Sequence, residues 1–368
     1  IQTLWPLYIA SLGASPSQVG LVLGAAGVMR LVALVPGGAL ADRFASKRFI
    51  AAGQAAMAIA FLGYAIVRTW WQLIPAELPF ALGAATYPSI LTKIAAISSD
   101  AADRTRRFTM INTIGPAVGL LLAPIAGGFI ASQLSVRSVF IFAAILTVAS
   151  TAMFANLSRD AEPHASEVTV SYWTTLHQPV ILVWCLLEMI AIFSLTLGMA
   201  LIPNYLHNFQ GISDGVIGSF AALSAAGSIA IGLVVSRIPF FRHSLNGIGL
   251  ALAAAAAAFI LIIVGNELFT FIVAYVLLGG FFATWTLFES ALGGVAARRY
   301  HARAYAIAEI LSGVGNAVAP VLAGFLFEVD PRAPVIAGLF VTMLLILGLI
   351  IVTRLKLLSR MSGAHKAF

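Results

Sequence analysis

At 368 residues, 61% hydrophobic and 10% charged, the chain is too apolar for a soluble globule, in which charged residues approach a quarter. Its formal net charge of +7 arises from short basic clusters between apolar runs, not from one basic domain, which points to a membrane and away from nucleic acid. The one cysteine, Cys185, excludes an intrachain disulfide, and its place inside an apolar run reads as a small buried hydrophobe.

Ile1 to Leu12 is apolar but too short to cross about 30 Å of hydrocarbon, which takes roughly 20 residues, so it reads as the second half of a first helix. Eleven further runs are predicted as membrane helices over 17–40, 48–67, 72–98, 107–132, 136–156, 178–206, 213–236, 245–264, 268–296, 304–327 and 333–355. They lack the alternate-residue pattern of barrel strands. The expected fold class is therefore an all-α membrane protein, a bundle of twelve helices with the first truncated.

Residues 157–177, with Ser158-Arg159-Asp160 and Ser166-Glu167, form the one polar stretch of any length. They predict a flexible linker between two six-helix halves, 1–156 and 178–357, with a tail over 358–368. Lysines and arginines in the connections set the orientation. One face receives Arg43, Lys47, Arg48, Arg104, Arg106, Arg107, Arg159, Arg237, Arg242, Arg298, Arg299, Arg303, Arg354, Lys356, Arg360 and Lys366. The other receives Arg68, Arg137 and Arg332. This bias places the linker and the C-terminus in the cytoplasm of a multi-pass cell-membrane protein.

The halves repeat. Gly83 matches Gly279, Pro124 with Gly128-Phe129 matches Pro320 with Gly324-Phe325, and Arg107 matches Arg303, each 196 residues on. One shared offset in three places implies a duplicated unit in parallel orientation.

The loop after the second run carries Gly38, Asp42, Arg43, Lys47 and Arg48, with Ala45 between them. Together with two parallel six-helix repeats, it resembles the first signature of the major facilitator superfamily, in which Gly is usual at the place of Ala45. The second-half copy, Gly232 to Arg237, has Ser236 where the acid would stand. Gly119, Pro124, Gly127 and Gly128 resemble the helix-five motif of proton-driven antiporters in that superfamily, with Ala123 replacing a central glycine. The helix-four arginine of the drug antiporters is absent, since Pro79 stands four residues before Gly83. The resemblance implies secondary transport by alternating access. It also implies a gating latch in which Asp42 faces the start of helix eleven and Arg43 pairs with Asp100 or Asp103. The alternative reading of the residues is a solvated loop whose charges fix topology.

Six scattered histidines, no Gly-x-Ser-x-Gly and no Walker sequence leave no metal site, cofactor or enzymatic reaction to expect. Ionisable groups within the helices carry the chemistry, because each costs about 2.5–3.5 kcal/mol or more at mid-bilayer and must face protein or water. Glu188, near the middle of helix seven, is the leading candidate to exchange a proton during the cycle, with Trp184 one turn before it on the same face. Arg30, Lys93, Asn112 and Asn316 are further proton or substrate candidates. Glu289, Glu309 and Arg303 read as gate or structural ion pairs. Polar or aromatic stripes at Glu309, Ser312 and Asn316, and at Tyr275, Gly279, Phe282, Thr286 and Glu289, are plausible cavity linings. Glu77 in helix four is expected close to the outer surface and is ranked below these.

The expected function is proton-coupled efflux of apolar or amphipathic small molecules by a monomer in the bilayer. The alternatives are an uptake symporter or facilitator for a sugar or metabolite, and a non-transporting membrane sensor.

Overall fold

The computed structural model describes residues 3–43, 47–97, 115–155, 171–242 and 244–354. Among these residues every regular element is helical. The first six are α1 (Trp5–Ser11), α2 (Pro16–Arg43), α3 (Lys47–Ile66), α4 (Leu73–Ile97), α5 (Gly115–Gln133) and α6 (Val136–Ala155). Next come α7 in two pieces (Pro179–Met199 and Ile202–Gln210), α8 (Asp214–Arg237) and α9 (Ser244–Val264). Then follow α10, also in two pieces (Leu268–Leu277 and Gly279–Val295), α11 (His301–Val329) and α12 (Ala333–Arg354). Eight spans among the described residues are long and apolar enough to cross a membrane, and the two broken helices, Pro179–Gln210 and Leu268–Val295, count as single spans. A helix satisfies its backbone polar groups within itself, which is what the interior of a bilayer demands.

The expected elements are thus all present where described, and the duplication reaches down to the turns. Gly13 (φ 86) and Gly211 (φ 66) take the left-handed conformation that glycine adopts most readily, each three residues before the second helix of its half. At the start of α2, Ser15 and Gln18 cap each other, with the Ser15 amide donating to Gln18 Oε1 at 2.9 Å and the Gln18 amide to Ser15 Oγ at 3.4 Å. Pro124 lies inside α5 and Pro320 inside α11, at the shared offset.

Two features depart from the sequence reading. Helices seven and ten are broken, at Ala200–Leu201 and at Leu278, beside Pro203 and Gly279-Gly280. The end of the expected linker is folded: Ser171 caps a short helix, Tyr172–Leu176, and the Arg303 guanidinium sits 4.3 Å above the Tyr172 ring.

The chain divides into two compact units, Ile1–Ala165 with Gly211–Ala222, and Ser166–Gln210 with Leu223–Phe368. In the first, α3 packs on α4 and α6, and α4 on α2. In the second, α7 packs on α11, α12 and α10, and α9 on α10 and α12. Glycines set the closest approaches. A Cβ on Gly227 would strike the Val276 carbonyl, one on Gly279 the backbone of Ser224, Gly227 and Ser228, and one on Gly280 the backbone of Ala251 and Ala255. Small residues at such crossings let membrane helices gain dispersion contact that no hydrophobic force supplies.

Candidate functional site

The site is built on α7, α10 and α11 of the second unit. α7 starts at Pro179, suited to a first helical position, and its apolar sequence lets it run through the middle of the unit. Glu188, half-way along the first piece, is 2% exposed. Nearby contacts fix that part of α7. Trp184, expected on a cavity wall, is instead buried edge-on against Phe288 of α10, with ring centroids 6.0 Å apart at 74°. Cys185 is fully buried with its thiol 3.9 Å from the Ala304 carbonyl of α11. A Cβ on Gly315 of α11 would come within 3.0 Å of the Met189 carbonyl, so the two backbones meet here too.

Two further acids join Glu188. Glu289 and Glu309, both half-buried, lie close enough for their charges to act on it. Glu289 accepts a hydrogen bond from the Trp285 indole at 3.1 Å, one helical turn before it. The three carboxyls that the sequence assigned to two separate roles therefore belong to one cluster. Among the described residues no group of three or more His, Cys, Asp or Glu is arranged to hold a metal ion.

Asn316 of α11 is held by Thr196 of α7, whose hydroxyl donates to Asn316 Oδ1 at 2.7 Å. This bond ties the two helices two turns beyond Glu188. Asn316→Ala is expected to cost about 1 kcal/mol, read as a lower unfolding temperature of the purified protein. Ser312, on the same predicted stripe, is 1% exposed and turns back to the Ala308 carbonyl at 2.8 Å. The upper part of the α10 stripe serves packing, because the Tyr275 carbonyl accepts from Ser224 of α8 at 2.9 Å and Gly279 meets the same helix. Between α7 and α11, Met189, Ile190, Phe193, Val314, Gly315 and Val318 line an open apolar recess.

The remaining candidates are spread out. Arg30 is exposed on α2. Gly38, Asp42 and Arg43 end α2, Lys47 and Arg48 open α3, and Lys93 lies on α4, with the side chains of all six outside the described residues. Asn112, Asp100 and Asp103 lie wholly outside them.

The family model described as the Major Facilitator Superfamily matches residues 1–264. The chain belongs to the Major Facilitator Superfamily. It is a membrane transporter of that superfamily, not an enzyme. The quinolone resistance protein NorA of Staphylococcus aureus (strain COL) is 23% identical over 350 residues, covering 92% of this chain and 88% of the relative. Among solved structures, a variant of the peptide transporter POT superposes with a TM-score of 0.78 at 15% identity, covering 98% of this chain and 91% of that one. The nucleoside transporter NupG superposes at 0.72 and 15% identity, covering 100% and 93%. These likenesses extend the fold of the Major Facilitator Superfamily over the full length of the chain.

The helix-five glycines of this superfamily member differ sharply in their surroundings. A Cβ on Gly128 would meet the Gly215 carbonyl and come within 3.0 Å of the Ser219 amide, both in the first unit, whereas one on Gly119 meets nothing within 4 Å. Gly128→Val is expected to cost about 1–3 kcal/mol. Gly119→Ala should leave the unfolding temperature unchanged or raise it.

Proposed function

We propose that the chain exports small apolar or amphipathic molecules by alternating access, that export is driven by protons moving inward, and that Glu188 is the group that carries the proton. One observation carries this reading: Glu188 is buried on a membrane helix, and the charges acting on it are those of two other acids. An acid cluster in a membrane is suited to holding and releasing a proton, because protonation removes a charge that both the surroundings and the neighbours disfavour. Glu289 and Glu309 would tune that exchange, and Arg303 would take part in the gate. The apolar recess between α7 and α11 suits the hydrocarbon part of a substrate, and the resistance in the name of the NorA relative agrees with export as the direction.

The orientation belongs to the same proposal. The basic connections, the linker and the C-terminus face the cytoplasm, where Asp42 and Arg43 latch one state of the cycle. Everted membrane vesicles containing the protein test the reading. An inside-acid gradient should drive accumulation of a lipophilic fluorescent dye, and collapsing the gradient should release it. Accumulation that ignores the gradient, or uptake of a sugar by right-side-out vesicles, would favour the facilitator or symporter instead.

A further inference from the structure

The first unit holds an acid of its own inside the helices. Glu77, about a turn into α4, is 5% exposed. The close contact of α4 with α3 buries it. A Cβ on Gly63 would touch Ala76 at 3.4 Å, and one on Gly83 would run into the Gly53 carbonyl and Met57. Backbones drawn together in this way set Tyr64 of α3 beside the Glu77 carboxyl. The Tyr64 hydroxyl is buried, and Glu77 is the acid whose carboxyl reaches it. Aromatic rings close around Tyr64: those of Trp5, Phe140, Phe61 and Phe80 lie 4.7, 5.6, 6.1 and 6.4 Å from its ring.

Among the described residues, the other charged or titratable groups nearby are engaged or turned outward. Tyr8 of α1 donates its hydroxyl to the Tyr64 carbonyl, and Arg137 of α6 donates to the Val67 carbonyl at 3.0 Å. Arg30 on α2 and Arg68 before the Trp70–Gln72 turn are exposed. The side chain that acts on the Glu77 carboxyl is Tyr64, a neutral phenol. A bare carboxylate buried in a membrane helix beside a neutral phenol is strongly disfavoured, so the site calls for a cation. A side chain only 5% exposed is poorly open to an organic ammonium. A metal cation such as sodium needs a shell of oxygens, and the pair offers one carboxyl and one phenol. A proton needs neither space nor a shell.

We propose that Glu77 is a second proton-carrying group of the transporter, held beside Tyr64 in the first unit. When water reaches the pair, the carboxyl O–H bond breaks and the proton passes to water. The carboxylate left behind takes a hydrogen bond from the Tyr64 hydroxyl, which stabilises the charge. The site lies in the other unit from Glu188 and stands apart from the reading of Glu188.

Infrared titration of the full-length purified protein tests this without a transport assay. Difference spectra between mildly acid and alkaline pH should show carboxyl bands, and Glu77→Gln should remove one of them. Glu188→Gln should leave that band in place. Tyr64→Phe should move its frequency and its titration midpoint, and it provides the readout if Glu77→Gln does not fold. A Glu77 that only braces α3 against α4 predicts spectra in Glu77→Gln, or in Tyr64→Phe, that match wild type throughout the titration. Either match overturns the proposal, even if gradient-driven export is found.

Discussion

Glu188→Gln is expected to lower gradient-driven accumulation by about tenfold or more, equivalent to at least roughly 1.4 kcal/mol. Counterflow of substrate down its own gradient should continue near the wild-type rate. The split follows from what the substitution removes. Glutamine keeps the volume and hydrogen-bonding reach of the side chain at a site that is 2% exposed, so α7 should still pack on α10 and α11. It cannot release a proton, so the cycle loses its coupling and keeps its substrate contacts. Glu289→Gln should have a smaller effect, because that carboxyl acts through its charge on Glu188 and is already held by Trp285. Equal loss of driven transport and counterflow in Glu188→Gln would assign Glu188 to substrate binding. Unchanged driven transport would remove it from the mechanism.

Gly279→Leu should destabilise the second unit by about 3 kcal/mol or more and deplete folded protein in the membrane. A side chain there has nowhere to go. The first atom beyond Cα already meets the backbone of Ser224, Gly227 and Ser228 on α8, and backbone cannot rotate away as a side chain can. Moving α10 would also stretch the bond from Ser224 to the Tyr275 carbonyl and disturb the Gly280 contact with α9. Gly227→Leu should fail in the same way from the other side of the crossing. Gly232→Ala on α8 is the control. It faces open space, so trading glycine for a better helix former should gain up to about 1 kcal/mol. Thermal unfolding of the purified variants separates a packing effect from a general intolerance of substitution at glycine.

Long apolar runs made the helices legible, because hydropathy over about 20 residues is the main thing a bilayer requires of a span. The repeat was legible for a similar reason: Pro124 and Pro320, or Gly83 and Gly279, mark positions where few residues serve. Glu188 stood out in its run as the acid farthest from either end. What the sequence left open depends on neighbours far away in the chain. That Glu289 and Glu309 join Glu188 is decided by how α10 and α11 pack on α7. Trp184 was placed on a cavity wall by its spacing, and Phe288, 104 residues on, buries it. Glu77 was ranked low because its place in helix four puts it close to the outer surface. Its burial comes from Gly63 and Gly83, which let α3 approach. The breaks in α7 and α10 did leave a signal, in Pro203 and the Gly279-Gly280 pair, which hydropathy averages over.

Proton movement measured together with substrate movement tests the central claim most directly. The purified protein would be placed in proteoliposomes holding a pH-sensitive dye, and a lipophilic substrate added with no gradient imposed. The account predicts that substrate transport moves protons in the opposite direction, and that Glu188→Gln abolishes the proton signal while substrate still crosses. Substrate flux in wild type with no accompanying proton flux would contradict it.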